Sequence, residues 1–387
     1  MKKVGKIFLY LFLIGVIILS ILFIIVMIQD YKEKNTSKKN IQITELKNEE
    51  KEEEEKRLSL VMVGDSLIHE AVYNRAKQSD GTYDFTSMFT EVKPLVEPYD
   101  LAFYNQESIL GGKEIGLSHY PRFNSPYEVG DAFIDMGFNL ISLANNHTLD
   151  RGVEAINNSL NYWSSKDVYT AGSYASFEQR DNIKIFEKNG ITYALLAYTT
   201  VTNGLTRPVG SEYYLNVYNE EQVKKDIESI RSKVDLLLVS MHFGTEYTLT
   251  QTVEQENIAS YLASLDVDIV IGHHPHVIEP ITYIDDTLVI YSLGNFISAQ
   301  LTTDQLTGLM VGVDVVKEKP GSKIILENLR ANLTYTQTRN PETKRFEFRV
   351  IPYNSDVLTN EILENKEIHK EKYINVIKSL GVDINIE

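Results

Sequence analysis

Ile269-Val270-Ile271-Gly272-His273-His274-Pro275-His276 is the stretch on which the reading of this chain turns. Three consecutive β-branched residues ending at a glycine read as a short strand buried on both faces. The imidazoles that follow stand at its carboxyl end, where α/β sheets bind ligands. The same arrangement recurs four more times. Asp65 follows Leu60-Val61-Met62-Val63-Gly64, and Asn105-Gln106-Glu107 follows Leu101-Ala102-Phe103-Tyr104. Asn145-Asn146-His147, with Asp150, follows Ile141-Ser142-Leu143-Ala144, and His242 follows Leu238-Val239-Ser240-Met241. Counting His69, four residues past Asp65, six of the eight histidines lie at or just beyond such ends, a distribution that scattered surface histidines would not give.

Outward from these ends, buried strands are expected over 58–63, 101–104, 140–143, 194–197, 236–241 and 269–271. Helical periodicity fills 128–136, 152–165, 220–232 and 253–265 between them. That alternation predicts an α/β domain. After Val277 strands follow one another, over 288–293, 308–316 and 323–333, so the sheets should be mixed, with helices outside them. A terminal helix is expected over 359–380. No repeat of 20 to 50 residues appears.

The amino end differs in kind. Lys2, Lys3 and Lys6 precede 22 uncharged residues, 7–28. As a helix these span roughly 33 Å, enough for a hydrocarbon core of about 30 Å. We expect a cytoplasmic stub (1–6), a single transmembrane anchor (7–28) and a main domain outside the cell, because the lysines precede the span. A cleaved signal peptide is the alternative; its apolar region would be shorter and followed by a small-residue cleavage site. Residues 29–57, rich in Lys, Glu and Asn, read as a solvated tether or a single frayed helix. The domain proper is expected over 58–350, with a helical extension over 351–387.

The whole chain carries 38 Lys plus Arg against 54 Asp plus Glu, a net charge of −16. Setting aside the three leading lysines and the tether's −1, residues 58–387 hold −18. Such a balance argues against nucleic acid as a partner, since phosphate binding needs a basic face. With no cysteine in the chain, thiolate metal sites, cysteine nucleophiles and disulfides are excluded. Imidazole and carboxylate together suit Mn, Fe or Zn, whereas an all-oxygen site would suggest Mg or Ca. One or two divalent ions are therefore expected. His274 and His276, one residue apart, should point to one side of an extended segment, with Pro275 favouring that geometry in the residue before it.

Gly-Asp, Asn-x-Glu, Asn-Asn-His-x-x-Asp, His-x-Gly-x-Glu (His242, Gly244, Glu246), His-Pro-His and Ser292-Leu293-Gly294-Asn295-Phe296 occur in that order. The series resembles the bacterial capsule-synthesis CapA family, including the PgsA-type poly-γ-glutamate capsule proteins, within the calcineurin-like metallophosphoesterase superfamily. Tyr120-Pro121-Arg122-Phe123-Asn124 and Ala171-Gly172-Ser173-Tyr174 support it, and the likeness runs from about Leu58 to Gln300. It implies a four-layer metallophosphoesterase-like α-β-β-α sandwich. It also implies that Asp65 and His276 hold a first metal, that Asn146, His242 and His274 hold a second, and that Glu107 bridges them. His147, oriented by Asp150, would protonate a leaving group or steady an oxyanion. Glu246 and Asn295 would stand behind the ligands, and His119 and Arg122 would meet an incoming anion.

The chain departs from that pattern at Leu67, where most phosphoesterases place a histidine two residues after the first Asp. His69 would share a helical face with Asp65 if a helix began at once; otherwise it is a surface histidine. His273 is expected to face away or to contact backbone. Ordinary roles exist for each residue: a cap for Asp65 or Asn146, hydrogen-bonded core for His242, a structural pair for His147 and Asp150. Two functions remain. One is an assembly factor for capsule synthesis or export, working with membrane-bound capsule proteins on an anionic envelope polymer such as poly-γ-glutamate. The other is an active metal-dependent hydrolase, a phosphoesterase or polymer-cleaving enzyme, acting on envelope substrates.

Overall fold

The computed structural model describes residues 2–49, 55–319 and 321–387. They divide into two units between Glu55 and Lys56. The first holds one helix, Lys2–Glu49, whose stretch Lys3–Lys39 is long and apolar enough to cross a membrane. Residues 29–49 of the expected tether continue that helix, and 50–54 lie outside the described residues. Lys56 and Arg57 already belong to the first strand of the second unit.

That unit contains β1 (Lys56–Ser66), β2 (Leu101–Asn105), β3 (Leu140–Ser142), β4 (Tyr169–Ala171), β5 (Phe186–Lys188), β6 (Ile191–Thr199), β7 (Leu236–His242) and β8 (Ile269–His273). There follow β9 (Ile281–Ile284), β10 (Thr287–Ile290), β11 (Asn295–Ile297), β12 (Thr307–Lys317), β13 (Ile325–Arg339), β14 (Phe346–Pro352) and β15 (Asn385–Ile386). One sheet runs β14-β13-β12-β1-β2-β3-β4, with β11 against β1 and β15 against β13. The other runs β5-β6-β7-β8-β10-β9. In the first sheet β1 to β4 are parallel and β12 to β14 antiparallel, so it is mixed as expected.

Strand alternation builds the layers. Leu60 and Met62 point to a core shared with Leu195 and Ala197 of β6 and Leu236 and Leu238 of β7, which is the space between the sheets. Val61 and Val63 point the other way, onto Phe133 and Trp163 of helices Glu128–Asp135 and Gly152–Ser164. On the far side, Leu196 and Val239 meet Val223, Ile227, Ile258 and Leu262 of helices Glu220–Ile230 and Val253–Ser264. The order helix, sheet, sheet, helix is the expected α-β-β-α sandwich.

Two glycines let the layers close where the functional residues stand. A Cβ on Gly64 would collide with the carbonyl of Gly294, and one on Gly272 with that of Tyr291. Several elements differ from the sequence reading. The expected strand 288–293 stops at Ile290, and 323–333 extends to Arg339. The terminal helix is Lys366–Ile377, preceded by Asn365 in the left-handed region, φ +56°. Short strands such as β4, β5, β11 and β15, of two or three residues each, offer too few positions for alternation to register.

Candidate metal centre

Parallel pairing sets the carboxyl ends of β1, β2 and β3 side by side, with Asp65 in register with both Asn105 and Asn295 of β11. In the other sheet His242 is in register with His273. Asp65, Glu107, Asn146, His147, His242, His274 and His276 are all buried there.

Asp65 Oδ1 accepts from Asn105 Nδ2 at 2.8 Å and lies 3.3 Å from His273 Nδ1; Oδ2 lies 3.3 Å from His276 Nδ1. Burial alone would raise its pKa, but His273 and His276 outweigh burial and hold the carboxyl well below the usual range. Glu107 Oε1 is 3.6 Å from both His242 Nε2 and His276 Nε2. Among the described residues, neither Glu107 oxygen accepts a hydrogen bond. Burial pushes Glu107 well above its ordinary value; His276 opposes that push, and the charge of Asp65 adds to it. Burial would depress His276, yet Glu107 and Asp65 raise it to about 9. His274 is lowered to about 4 by burial and by His276, and His242 is lowered by burial and His274.

An isolated buried carboxylate is costly unless a positive charge meets it. Here Glu107, His274 and His276 each offer a ligand atom within 4.8 Å of one another, enough to hold a metal ion. The Nδ1 of His274 has no hydrogen-bond partner, while His276 Nδ1 donates to Asn295 Oδ1 at 3.0 Å, turning Nε2 toward Glu107. A cation would satisfy the unpaired Glu107 oxygens, so the donor set fits one.

His274 and His276 do not converge by lying on an extended segment. The strand ends at His273, and the two residues take left-handed φ values of +103° and +58°. The turn is tied from outside by Tyr247 N, which donates to the Pro275 carbonyl at 2.8 Å. His273 also differs from expectation, being fully buried beside Asp65 and stacked on Phe103 at 5.5 Å.

Asn146 Oδ1 lies 3.0 Å from His242 Nε2. His147 Nδ1 is 2.6 Å from Asp150 Oδ2, which also accepts from Phe123 N at 2.7 Å. Asn295 reaches back to the His276 carbonyl at 3.3 Å. Glu246 is exposed, in the loop after β7. His119 pairs with Glu70 at 3.2 Å, and Arg122 is exposed in the same turn; among the described contacts neither touches the buried cluster. His69 does not share a helical face with Asp65, because β1 runs to Ser66 and the next helix begins at Glu70. It is half-buried: burial lowers its pKa to about 4, and Nδ1 accepts from Ala299 N at 3.2 Å.

Sequence reasoning missed Asn105 and Asn145 as supports. Asn145 Nδ2 donates to the Gln106 carbonyl at 2.9 Å and to Asn105 Oδ1 at 3.3 Å. Both stood in the strand-end triplets, so a signal existed. Asn203, which bonds Asn146, lies in a loop without any motif.

The family model described as "Bacterial capsule synthesis protein PGA_cap" matches residues 59–300. Over 274 residues the chain is 27% identical to the "PGA biosynthesis protein CapA" of Bacillus subtilis (strain 168), covering 68% of this chain and 69% of that one. It is also 27% identical over 274 residues to the "Capsule biosynthesis protein CapA" of Bacillus anthracis, covering 67% of this chain and 64% of that one, just under two thirds of its length. Among solved structures it is similar to the calcineurin-like phosphoesterase YfkN from Bacillus subtilis, with TM-score 0.47 and 13% identity over 83% of this chain and 99% of that one. The NAD nucleotidase NadN of Haemophilus influenzae gives TM-score 0.45 and 12% identity over 86% and 64%.

Proposed function

From the premise that this chain belongs to the bacterial capsule synthesis family, we propose that it is a membrane-anchored component of capsule polymer synthesis or export with a divalent metal centre. The helix Lys2–Glu49 anchors it, the amino terminus with Lys2, Lys3 and Lys6 is cytoplasmic, and the unit Lys56–Glu387 works outside the cell. Its partners are an anionic envelope polymer of the poly-γ-glutamate kind and membrane-bound capsule proteins. The observation that carries this reading is Glu107, a buried carboxylate with both oxygens unpartnered among three imidazoles.

Asp65 and His276 would hold a first ion and Asn146, His242 and His274 a second, with Glu107 available to both. Mn, Fe or Zn suits this mixed nitrogen and oxygen set. Bound there, the metal supplies Lewis-acidic positive charge that an anionic group needs in an otherwise acidic protein. Asn295 and Asn105 keep His276 and Asp65 in place. Asp150 fixes the His147 ring and, through the Phe123 backbone, the loop beside it.

The same pair supports a second reading, metal-dependent hydrolysis of an envelope substrate. His147, with Nδ1 engaged by Asp150, presents Nε2 as the proton donor to a departing group.

The test is metal content per chain in native, His274→Ala and His276→Ala protein, together with surface polymer from cells carrying each form. The native chain should bind at least one equivalent and both variants should lose most of it along with the polymer. A native chain without stoichiometric Mn, Fe or Zn, or unchanged polymer from metal-free variants, overturns the proposal. His147→Ala separates the readings: abolished polymer with metal retained supports hydrolysis, and retained polymer supports assembly alone.

A further inference from the structure

Asn203 lies four residues beyond β6, with φ +52°, a left-handed value that asparagine tolerates better than most residues. Its side chain and Asn146 form a reciprocal pair. Asn146 Nδ2 donates to Asn203 Oδ1 at 3.3 Å, and Asn203 Nδ2 donates to the Asn146 carbonyl at 3.3 Å. At the other end of the same amide, Asn146 Oδ1 faces His242 Nε2 at 3.0 Å.

The oxygen and nitrogen ends of an asparagine amide have nearly the same shape. Which end faces which way is settled by the partners, not by packing. For a metal ligand the difference is absolute, because the oxygen donates a lone pair and the NH2 has none to give. Asn203 Oδ1 can only accept, so it requires the NH2 of Asn146 on its side and leaves the oxygen toward His242. Asn203 is itself exposed, and the bond of its NH2 to the Asn146 carbonyl favours the same orientation of its own amide.

The loop that carries Asn203 is fixed at its root. Thr200 N donates to the His242 carbonyl at 3.0 Å, and Thr199 N donates to the Asn216 carbonyl at 3.0 Å. The segment is thereby registered to the strand end that holds His242.

We propose that Asn203 is a positioning residue that sets the amide of Asn146 with its oxygen, and not its NH2, toward the cation pocket. This rests on the metal-centre reading above and adds to it a residue outside the motifs quoted for the sequence.

Full-length chain in detergent, titrated with Co2+ alone, tests it, with affinity from competition, the visible spectrum for coordination, and Tm for the fold. Asn203→Ala should weaken Co2+ binding by roughly 10 to 100-fold and change the spectrum, with Tm shifted by only a few degrees. The discriminating variant is Asn146→Asp, whose carboxylate presents an oxygen whichever way it turns. In that background Asn203→Ala should change Co2+ affinity by less than about threefold. Equal weakening in both backgrounds overturns the proposal, because it marks a merely structural role. Unchanged affinity of Asn203→Ala in the native background overturns it as well, while leaving the metal centre standing. A native chain that takes up no Co2+ sinks both.

Discussion

Glu107 and Glu279 illustrate two ways of burying a carboxyl group. Glu107 is ringed by imidazoles, one of which, His276, is raised to about 9 by the carboxylates beside it. A proton on His276 does there part of what a metal cation would do. Glu279, fully buried, accepts from Gln255 Nε2 at 2.6 Å, and among the described residues its other oxygen has no hydrogen-bond partner. Burial raises it from 4.5 to about 8, against the opposing pull of that hydrogen bond. A folded-state value above the unfolded one means that the folded chain holds the proton more tightly. The stabilising contribution is therefore full below 4.5 and is lost as pH rises through about 8. Glu279→Gln keeps the acceptor for Gln255 and removes the titration. Its thermal stability should match the native chain near pH 5 and exceed it by on the order of 1–3 kcal/mol at pH 8 to 9. Melting curves that run parallel from pH 5 to 9 would contradict this.

The elements around the centre are set by how they end. The helix Val253–Ser264 begins with a reciprocal cap: Thr252 Oγ1 accepts from Gln255 N at 3.2 Å, and Gln255 Oε1 accepts from Thr252 N at 2.8 Å. Because Gln255 also holds Glu279, the cap ties the helix to the chain just beyond His276. Thr252→Ala should cost about 1 kcal/mol, read as a shift in the denaturation midpoint without a change in slope. A loss under about 0.3 kcal/mol would mean that Gln255 keeps the helix start by itself. At the end of β8 the reading of strand identity was right and the reading of its last residues was not. Pro275 was expected to keep His274 extended, but φ there is +103°, and the chain must turn at once to reach β9. Strain of this kind persists only where surrounding structure overdetermines it. The Tyr247 hydrogen bond to Pro275 and the contact of His274 N with Asp65 Oδ2 at 3.4 Å are that surrounding structure.

At the scale of the whole molecule, the chain after β14 is part of the fold. Leu358, Leu363, Tyr373, Ile377, Val382 and Ile384 all enter the core between the sheets, and β15 pairs with β13. Burying one such side chain fully contributes roughly 1.5–3 kcal/mol, so the six together are comparable to the whole margin by which most domains are stable. A chain ending at Pro352 should therefore fail to melt cooperatively, whereas residues 56–387 alone should melt as one transition by calorimetry. A cooperative transition in the shorter chain would show that this segment is an appendage. Much of the layered arrangement was legible beforehand, because strands buried on both faces spell out continuous apolar runs and amphipathic helices keep a 3.6-residue period. What escaped was short or irregular: β4, β5, β11 and β15, and the true start of the last helix at Lys366. The polar residues that gather at the carboxyl ends of the strands were legible as a series because each directly follows a continuous apolar run. Their supports were less so. His273 was expected to face away or to contact backbone and is packed against Asp65.

By itself the sequence determined the α/β class, the apolar amino-terminal helix, the acidity of residues 58–387 and the residue types available to bind a cation, since each is a property of local pattern or composition. The tertiary structure alone decided which nitrogen and oxygen atoms come together. Asp65, Asn105, Asn203 and His273 are far apart along the chain, and only the closure of two sheets brings their side chains within hydrogen-bonding reach of the centre or of its neighbours. Atom-level choices of this sort, such as which end of the Asn146 amide faces His242, depend on partners that no local spacing can specify.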